Sequence, residues 1–260
     1  MAPPKILIWD IETAPALGDV WGLWQNNVGL NQLKKSGYIM SFAAKWLGEP
    51  KIFYADCSKN GEKDELDMLL QLYALLEEAD MVVAHNGDRF DMGWVKGRCI
   101  YYGLPPLPPV KQIDTLKVVK REFRFLSNKL EYVAKLLGCE EKLKHKEFGG
   151  HELWAECLKG NQRAWKEMKV YNKQDVVTLE QVYLRLRPWM RNHPNWGLWE
   201  NAGVPTCVAC GGKHIHKRGT TKTGVSVFQR TRCMDCGHWG RYAVNLIDKD
   251  DRKVLLRNVV

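Results

Sequence analysis

No apolar run in this 260-residue chain reaches the ~18 residues of a bilayer-spanning helix, so neither a transmembrane segment nor a membrane partner is expected. The opening Met-Ala-Pro-Pro-Lys has no apolar h-region and no cleavage site, so no secretory signal is expected either. Internal repeats and low-complexity tracts are lacking. With 45% hydrophobic and 27% charged residues, the composition is that of an ordinary globular protein. Together these absences predict a cytoplasmic chain of one large domain, or of one medium domain and a small one.

Acidic residues are scarce near the C-terminus. Residues 201–260 hold 11 Lys/Arg against 4 Asp/Glu, which accounts for +7 of the total +9. A basic module attracts polyanions by counterion release, although a basic soluble surface is the simpler explanation of charge alone.

Of eight cysteines, Cys57, Cys99, Cys139 and Cys157 are scattered and read as reduced thiols. Cys207-x₂-Cys210 and Cys233-x₂-Cys236 are two tight pairs separated by 22 residues. Without a signal peptide, such pairs predict one tetrahedral Zn²⁺ rather than disulfides. Gly211-Gly212 and Gly237 follow the pairs, where a knuckle turn calls for positive φ. Residues 225–230 and 241–245 alternate as strands do. A four-cysteine ribbon this small needs its ion to fold, so the zinc is structural. His214, His216 and His238 are spare ligands that four thiolates make unnecessary. Lys213, Lys217, Arg218, Lys222, Arg230, Arg232 and Arg241 are interleaved with Phe228, Trp239 and Tyr242. That pattern suits nucleic acid better than a docked protein.

Before the ribbon, β-branched runs predict strands at 5–12, 39–47, 51–55 and 81–84, the second and third forming a hairpin across Gly48-Glu49-Pro50. Apolar spacing predicts helices at 63–78, 90–102, 129–137, 151–158 and 162–186. Asn128 and Glu131 resemble a capping box for the third of these, which Gly138 closes. The expected architecture is an α/β mixed sheet flanked by helices, with a small C-terminal zinc ribbon of four cysteines. The domains are expected at 1–188, 189–205 (a Trp-rich linker) and 206–260.

Three short motifs carry chemistry. Asp10 and Glu12 lie two apart on the first strand, so both carboxylates leave one face. Adjacent acids at the end of a buried strand repel unless a cation joins them. His85-Asn86-Gly87-Asp88-Arg89-Phe90-Asp91 is a strand-to-helix turn in which Phe90 can anchor the helix in the core, with Asp88 a rival to Asp91 as a ligand. Tyr171 and Asp175 share a face of the last long helix. Each motif alone also has a structural explanation: solvated charges, a helix cap, a partly buried phenol beside a surface acid.

In this order and combination the motifs resemble those of the DEDD superfamily of 3′→5′ exonucleases, in its Tyr-containing branch. The wording of Trp9–Thr13, His85–Asp91, Ile113–Leu116 and Phe125–Leu130 is similar to phage-encoded YprB-like members of the RNase H-like fold. The resemblance covers about residues 4–187. It implies an RNase H-like mixed sheet, and Asp10, Glu12, Asp91 and Asp175 holding two Mg²⁺ or Mn²⁺ ions that clamp the scissile phosphate. It implies that Tyr171 orients the attacking water, since a phenol of pKa ~10 is a poor base at neutral pH. The branch with His at this place is not matched, because the nearest upstream histidine is His151.

The expected activity is removal of nucleotides from single-stranded or frayed DNA 3′ ends, in the host-cell cytoplasm if the protein is phage-encoded. An RNase D-like RNA exonuclease, a structure-specific endonuclease and a non-catalytic nucleic-acid-binding protein are the competing expectations. Protein partners are not legible. Asp114 reads as a helix cap rather than a ligand. Lys45, Arg89 and Lys129 are candidate phosphate contacts without further support, and the stretch Trp21–Asn26 suits either base stacking or core filling.

Overall fold

The computed structural model describes residues 2–22, 24, 27–139, 147–200 and 203–257. The chain divides into two compact units, one spanning Lys5–Tyr183 and the other running from Leu184 onward together with the residues before Lys5.

In the first unit, β1 (Ile6–Thr13) is followed by a small antiparallel pair, β2 (Leu17–Gly18) and β3 (Leu33–Lys35), which no alternation in the sequence announced. Next come β4 (Ile39–Trp46), β5 (Ile52–Asp56), α1 (Glu65–Glu78), β6 (Met81–Ala84), α2 (Asp91–Tyr101), β7 (Lys111–Asp114), α3 (Thr115–Glu122), α4 (Leu130–Leu136), α5 (His151–Leu158) and α6 (Gln162–Leu186). The sheet order is β5-β4-β1-β6-β7. β4 is antiparallel to both β1 and β5, whereas β1, β6 and β7 run parallel. This is the mixed sheet flanked by helices that the strand and helix pattern implied. β1 lies at its centre because both faces are apolar: Ile6, Leu7, Ile8, Trp9 and Ile11 are all buried. A strand that buries both faces leaves few places for charge, so Asp10 and Glu12 stand out on it.

α6 fits its sheet through a stripe at helical spacing: Trp165, Met168, Asn172, Val176, Leu179 and Tyr183 are all buried. Asn172 is a polar residue inside an otherwise apolar stripe. Two buried ion pairs brace the unit. Lys45 pairs with Glu180, whose other oxygen accepts from Gly48 N at 2.8 Å. Arg98 pairs with Glu65, which also accepts from Ile39 N at 2.7 Å and the Tyr102 hydroxyl at 2.8 Å.

Three local expectations need correction. The capping box at Asn128 is not formed: α4 begins at Leu130 with Lys129 as its cap residue and no side-chain cap. Asn128 instead offers its carbonyl to His85 Nε2 at 2.9 Å. Phe90 does not anchor α2 in the core; it is 40% exposed, and its ring meets that of Trp94 edge-to-face with centroids 6.4 Å apart. Within Trp21–Asn26, Trp21 and Trp24 are almost fully exposed, which rules out core filling for both; Leu23, Gln25 and Asn26 lie outside the described residues.

The second unit contains β8 (Ile215–Thr223), β9 (Ser226–Cys233), β10 (Trp239–Asn245) and α7 (Lys249–Lys253). The strands form an antiparallel sheet in the order β10-β9-β8. The sequence announced parts of β9 and β10 but not β8, which carries six residues with no apolar alternation, from His216 to Thr221. The Trp-rich connection folds into this unit: Trp196 N donates to Val208 O at 2.9 Å, and a Cβ on Gly211 would strike the Trp196 ring at 2.4 Å. Among the described residues no helix is long and apolar enough to cross a membrane.

Candidate active site

The site forms where the central sheet opens. β1 and β6 pair only from Ile6 to Ile8, so the last half of β1 has lost its parallel neighbour. The freed Ile11 N–H would be a buried orphan donor. Asp91, the first residue of α2, accepts it through Oδ1 at 3.2 Å. Unpaired buried donors cost about 1–3 kcal/mol, so this bond fixes α2 against the strand.

The turn that brings Asp91 there is tight. Asn86 adopts φ 73, and a Cβ on Gly87 would lie 2.3 Å from that of Ala84, so only glycine fits. Asp114 closes the turn from the other side. Its Oδ1 accepts from Asn86 N at 3.0 Å and caps α3 through Leu116 N at 2.9 Å and Lys117 N at 3.3 Å. That is the structural role read from its position. Asp88 is turned outward to Lys117 at 2.6 Å, which removes it as a rival to Asp91. His85 is held by Thr115 Oγ1 and the Asn128 carbonyl, both at 2.9 Å.

α6 supplies the far wall. Asp10, Glu12 and Asp175 each offer a carboxylate oxygen, and the three atoms lie within 4.8 Å of one another. Asp91 is outside this trio; it sits beside it, on the amide between Asp10 and Glu12. Three carboxylates at that spacing are hard oxygen donors in mutual repulsion, a set that suits Mg²⁺ or Mn²⁺. Burial pushes the Asp91 carboxyl well above the usual carboxylate range, and the charge of Asp114 adds to the rise.

Tyr171 lies one turn before Asp175 on α6. Its ring packs edge-on against Trp154, with centroids 5.8 Å apart, and its hydroxyl lies close to the Asp175 carboxylate. Burial pushes this phenol far up from its ordinary value, and Asp175, Glu12 and Asp10 push it the same way.

One residue of the site escaped the sequence reading. Asn172 is fully buried; its Nδ2 donates to Asp10 Oδ2 at 2.8 Å, and its Oδ1 accepts from Ser41 Oγ at 3.1 Å. The available signal was an amide in the middle of an apolar helical stripe. Lys45, a candidate phosphate contact, is instead buried against Glu180.

In the second unit, Cys207, Cys210, Cys233 and Cys236 converge. Four sulfurs ~2.3 Å from a tetrahedral Zn²⁺ stand roughly 3.8 Å apart. The Cys207–Cys236 and Cys210–Cys233 sulfur pairs are each separated by 3.8 Å. The two knuckles repeat one turn: Gly211 N donates to Cys207 O and Gly237 N to Cys233 O, both at 3.0 Å, with φ 76 and 85 at the glycines. Among the described residues no histidine joins the cluster; His214 bonds Asp235 at 2.6 Å and His238 bonds the Pro188 carbonyl at 2.8 Å.

Residues 28–187, more than half of the chain, match the family model of the RNase_H superfamily, and the chain belongs to that superfamily. It is 25% identical over 144 residues to a PolC-type DNA polymerase III of Ureaplasma parvum serovar 3, a match covering 55% of this chain and 10% of the polymerase. The fold is also similar to that of a family B DNA polymerase from the archaeon Pyrobaculum calidifontis. The TM-score is 0.51 at 12% identity, over 72% of this chain and 26% of the polymerase. The chain thus spans a tenth and about a quarter of the lengths of these two relatives.

Proposed function

We propose that this protein is a metal-dependent 3′→5′ exonuclease of the DEDD superfamily, Tyr-containing branch, acting on DNA 3′ ends. The observation that carries the reading is the convergence of Asp10, Glu12 and Asp175 beside the Tyr171 hydroxyl, from elements more than 150 residues apart in sequence. Membership in the RNase_H superfamily and the match to a DNA polymerase support it. The YprB-like wording and a phage origin rest on the motif resemblance alone.

In this reading Asp10, Glu12 and Asp175 hold divalent cations. Asp91 completes the acidic set while locking α2 to Ile11. Bound Mg²⁺ or Mn²⁺ would supply a water of lowered pKa and neutralise charge on the phosphate and its leaving oxygen. Asn172 keeps the Asp10 carboxylate in one orientation. Tyr171 positions the attacking water through its hydroxyl; its ring is held by Trp154, so the oxygen is placed before substrate arrives. Residues 1–188 form the catalytic domain, 189–205 a connection and 206–260 a ribbon whose four-cysteine cluster holds one structural Zn²⁺. The basic ribbon contributes to holding nucleic acid.

Digestion of end-labelled DNA and RNA oligonucleotides with Mg²⁺ or Mn²⁺ tests the proposal. Laddering from the 3′ end that disappears in Asp10→Ala is the expected result, with DNA the faster substrate. Faster RNA cleavage would select the RNase D-like alternative, internal cuts an endonuclease. Binding without any cleavage would contradict an enzyme.

A further inference from the structure

The three-stranded sheet of the second unit has two unlike faces. Along β9, Thr231 and Cys233 point to the buried, metal-side face, and Arg230 and Arg232 alternate onto the other, which is exposed. In the β9–β10 ladder, Arg230 lies directly opposite Arg241, and Arg232 opposite Trp239. Like charges facing each other across two strands destabilise a sheet. Among the described residues no carboxylate forms an ion pair with Arg230, Arg232 or Arg241. The cluster therefore costs stability in the isolated protein, and a polyanion laid across it would remove that cost.

The arginines are also held in place. Arg241 lies over the Phe228 ring at 3.6 Å, Arg230 over Trp239 at 4.9 Å, and Arg232 over the same indole at 5.8 Å. Arg230 Nε is further fixed by the Arg218 carbonyl at 2.8 Å. Stacking orders the guanidinium planes while leaving their N–H edges for phosphate oxygens. Trp239 keeps half its surface exposed, although an indole is costly to leave in water. Phe228, Arg230, Trp239 and Arg241 line a groove of about 620 Å³ along the edge strand β10, to which Arg191 and Tyr242 also contribute; Arg232 stands next to it, over the same indole.

We infer that this groove is a binding site for single-stranded nucleic acid, in which Trp239 stacks on a base while Arg230 and Arg241 within the groove, and Arg232 next to it, hold the flanking phosphates. The inference rests on the nucleic-acid reading above and specifies the face, the strandedness and the residues. An unpaired base is required because the bases of a duplex have no free ring face for an indole. A mainly electrostatic duplex site would not need an exposed tryptophan among its arginines.

The test uses the zinc-loaded full chain carrying Asp10→Ala, without added divalent cation, so that binding is measured apart from hydrolysis. Labelled single DNA and RNA strands of about 20 nucleotides, long enough to cover one site, and a DNA duplex of equal length are titrated by fluorescence anisotropy across a salt series. Both single strands are expected to bind more tightly than the duplex, and the tighter of the two identifies the sugar. Trp239→Ala is expected to weaken single-strand binding roughly 5- to 100-fold, with Trp239→Phe restoring much of it. Combined Arg230→Ala, Arg232→Ala and Arg241→Ala is expected to lower the log–log salt slope by about 2. Retention of one zinc per chain shows that each variant has folded. Duplex preference, unchanged affinity in Trp239→Ala, or equal displacement of the strand by poly-glutamate would overturn the inference, the last in favour of an acidic protein segment. If the wild-type chain cuts nothing while these variants lose binding, the nuclease reading fails and the groove stands; active chains with unaltered binding give the reverse.

Discussion

The side-chain amide of Asn172 donates to Oδ2 of Asp10 at 2.8 Å from inside the apolar stripe of α6. With Ser41 donating to its carbonyl at 3.1 Å, it joins α6, β1 and β4 at one carboxylate. A carboxylate that can rotate meets a cation in several geometries; one held by a buried amide meets it in one. Asn172→Ala is expected to raise the Mg²⁺ concentration for half-maximal activity and to lower kcat by about 10²-fold, the cost of a small misplacement at a reacting centre. Steady-state kinetics across a Mg²⁺ series checks this. A purely structural role would lower the melting temperature and leave the metal dependence unmoved.

Tyr171→Phe removes only the hydroxyl close to Asp175 and leaves the edge contact with Trp154. Activity is expected to fall by about 10²-fold with little change in KM or in urea stability, because the group acts by placing water rather than by binding substrate. Loss of stability in parallel with activity would make Tyr171 a packing residue.

Lys45 and Glu180 form a buried pair whose side chains are 9% and 12% exposed. Lys45→Met leaves a buried carboxylate without its cation and is expected to destabilise the first unit by about 3–5 kcal/mol. Lys45→Met combined with Glu180→Leu should recover most of that loss, because apolar replacement of a whole pair is often neutral. Urea unfolding of the single and double variants measures both.

Removal of zinc is expected to unfold the second unit, whose metal-side core is little more than Cys207, Ala209 and Cys233 with Ile215 against them. Metal analysis of protein purified without chelator should find one zinc per chain, and none in Cys210→Ser. Limited proteolysis of that variant should cut within 206–257 while the first unit survives. Zinc absent from wild-type protein with all four thiols free would contradict the assignment.

Much of the fold was legible because local chemistry and tertiary packing agree. The buried strands at 6–13, 39–46 and 81–84 are β-branched or apolar along most of their length, and the register of Asp10 with Glu12 follows from the pleat alone. The Cys-x-x-Cys spacing singles out the four cysteines whose sulfurs converge. The illegible parts depend on partners distant in sequence. β8 is polar along its middle and is a strand because β9 pairs with it. Asn128 has a cap residue's chemistry, yet α4 starts one residue later with Lys129 in the cap position, and the backbone carbonyl of Asn128 meets His85, 43 positions away. Asn172 announced itself only as a polar residue in a core stripe, and what it holds lies 162 residues earlier. Residue type alone puts a phenylalanine in the core, whereas Phe90 at the start of α2 is 40% exposed.

In the proposed mechanism, acids from β1 and α6 share a divalent cation. Calorimetric titration of Mn²⁺ into the zinc-loaded full chain tests it most directly. Saturable binding that is lost in both Asp10→Ala and Asp175→Ala, with the zinc retained, is the expected result. Binding that survives both substitutions, or no Mn²⁺ binding by the folded wild-type chain, would contradict it.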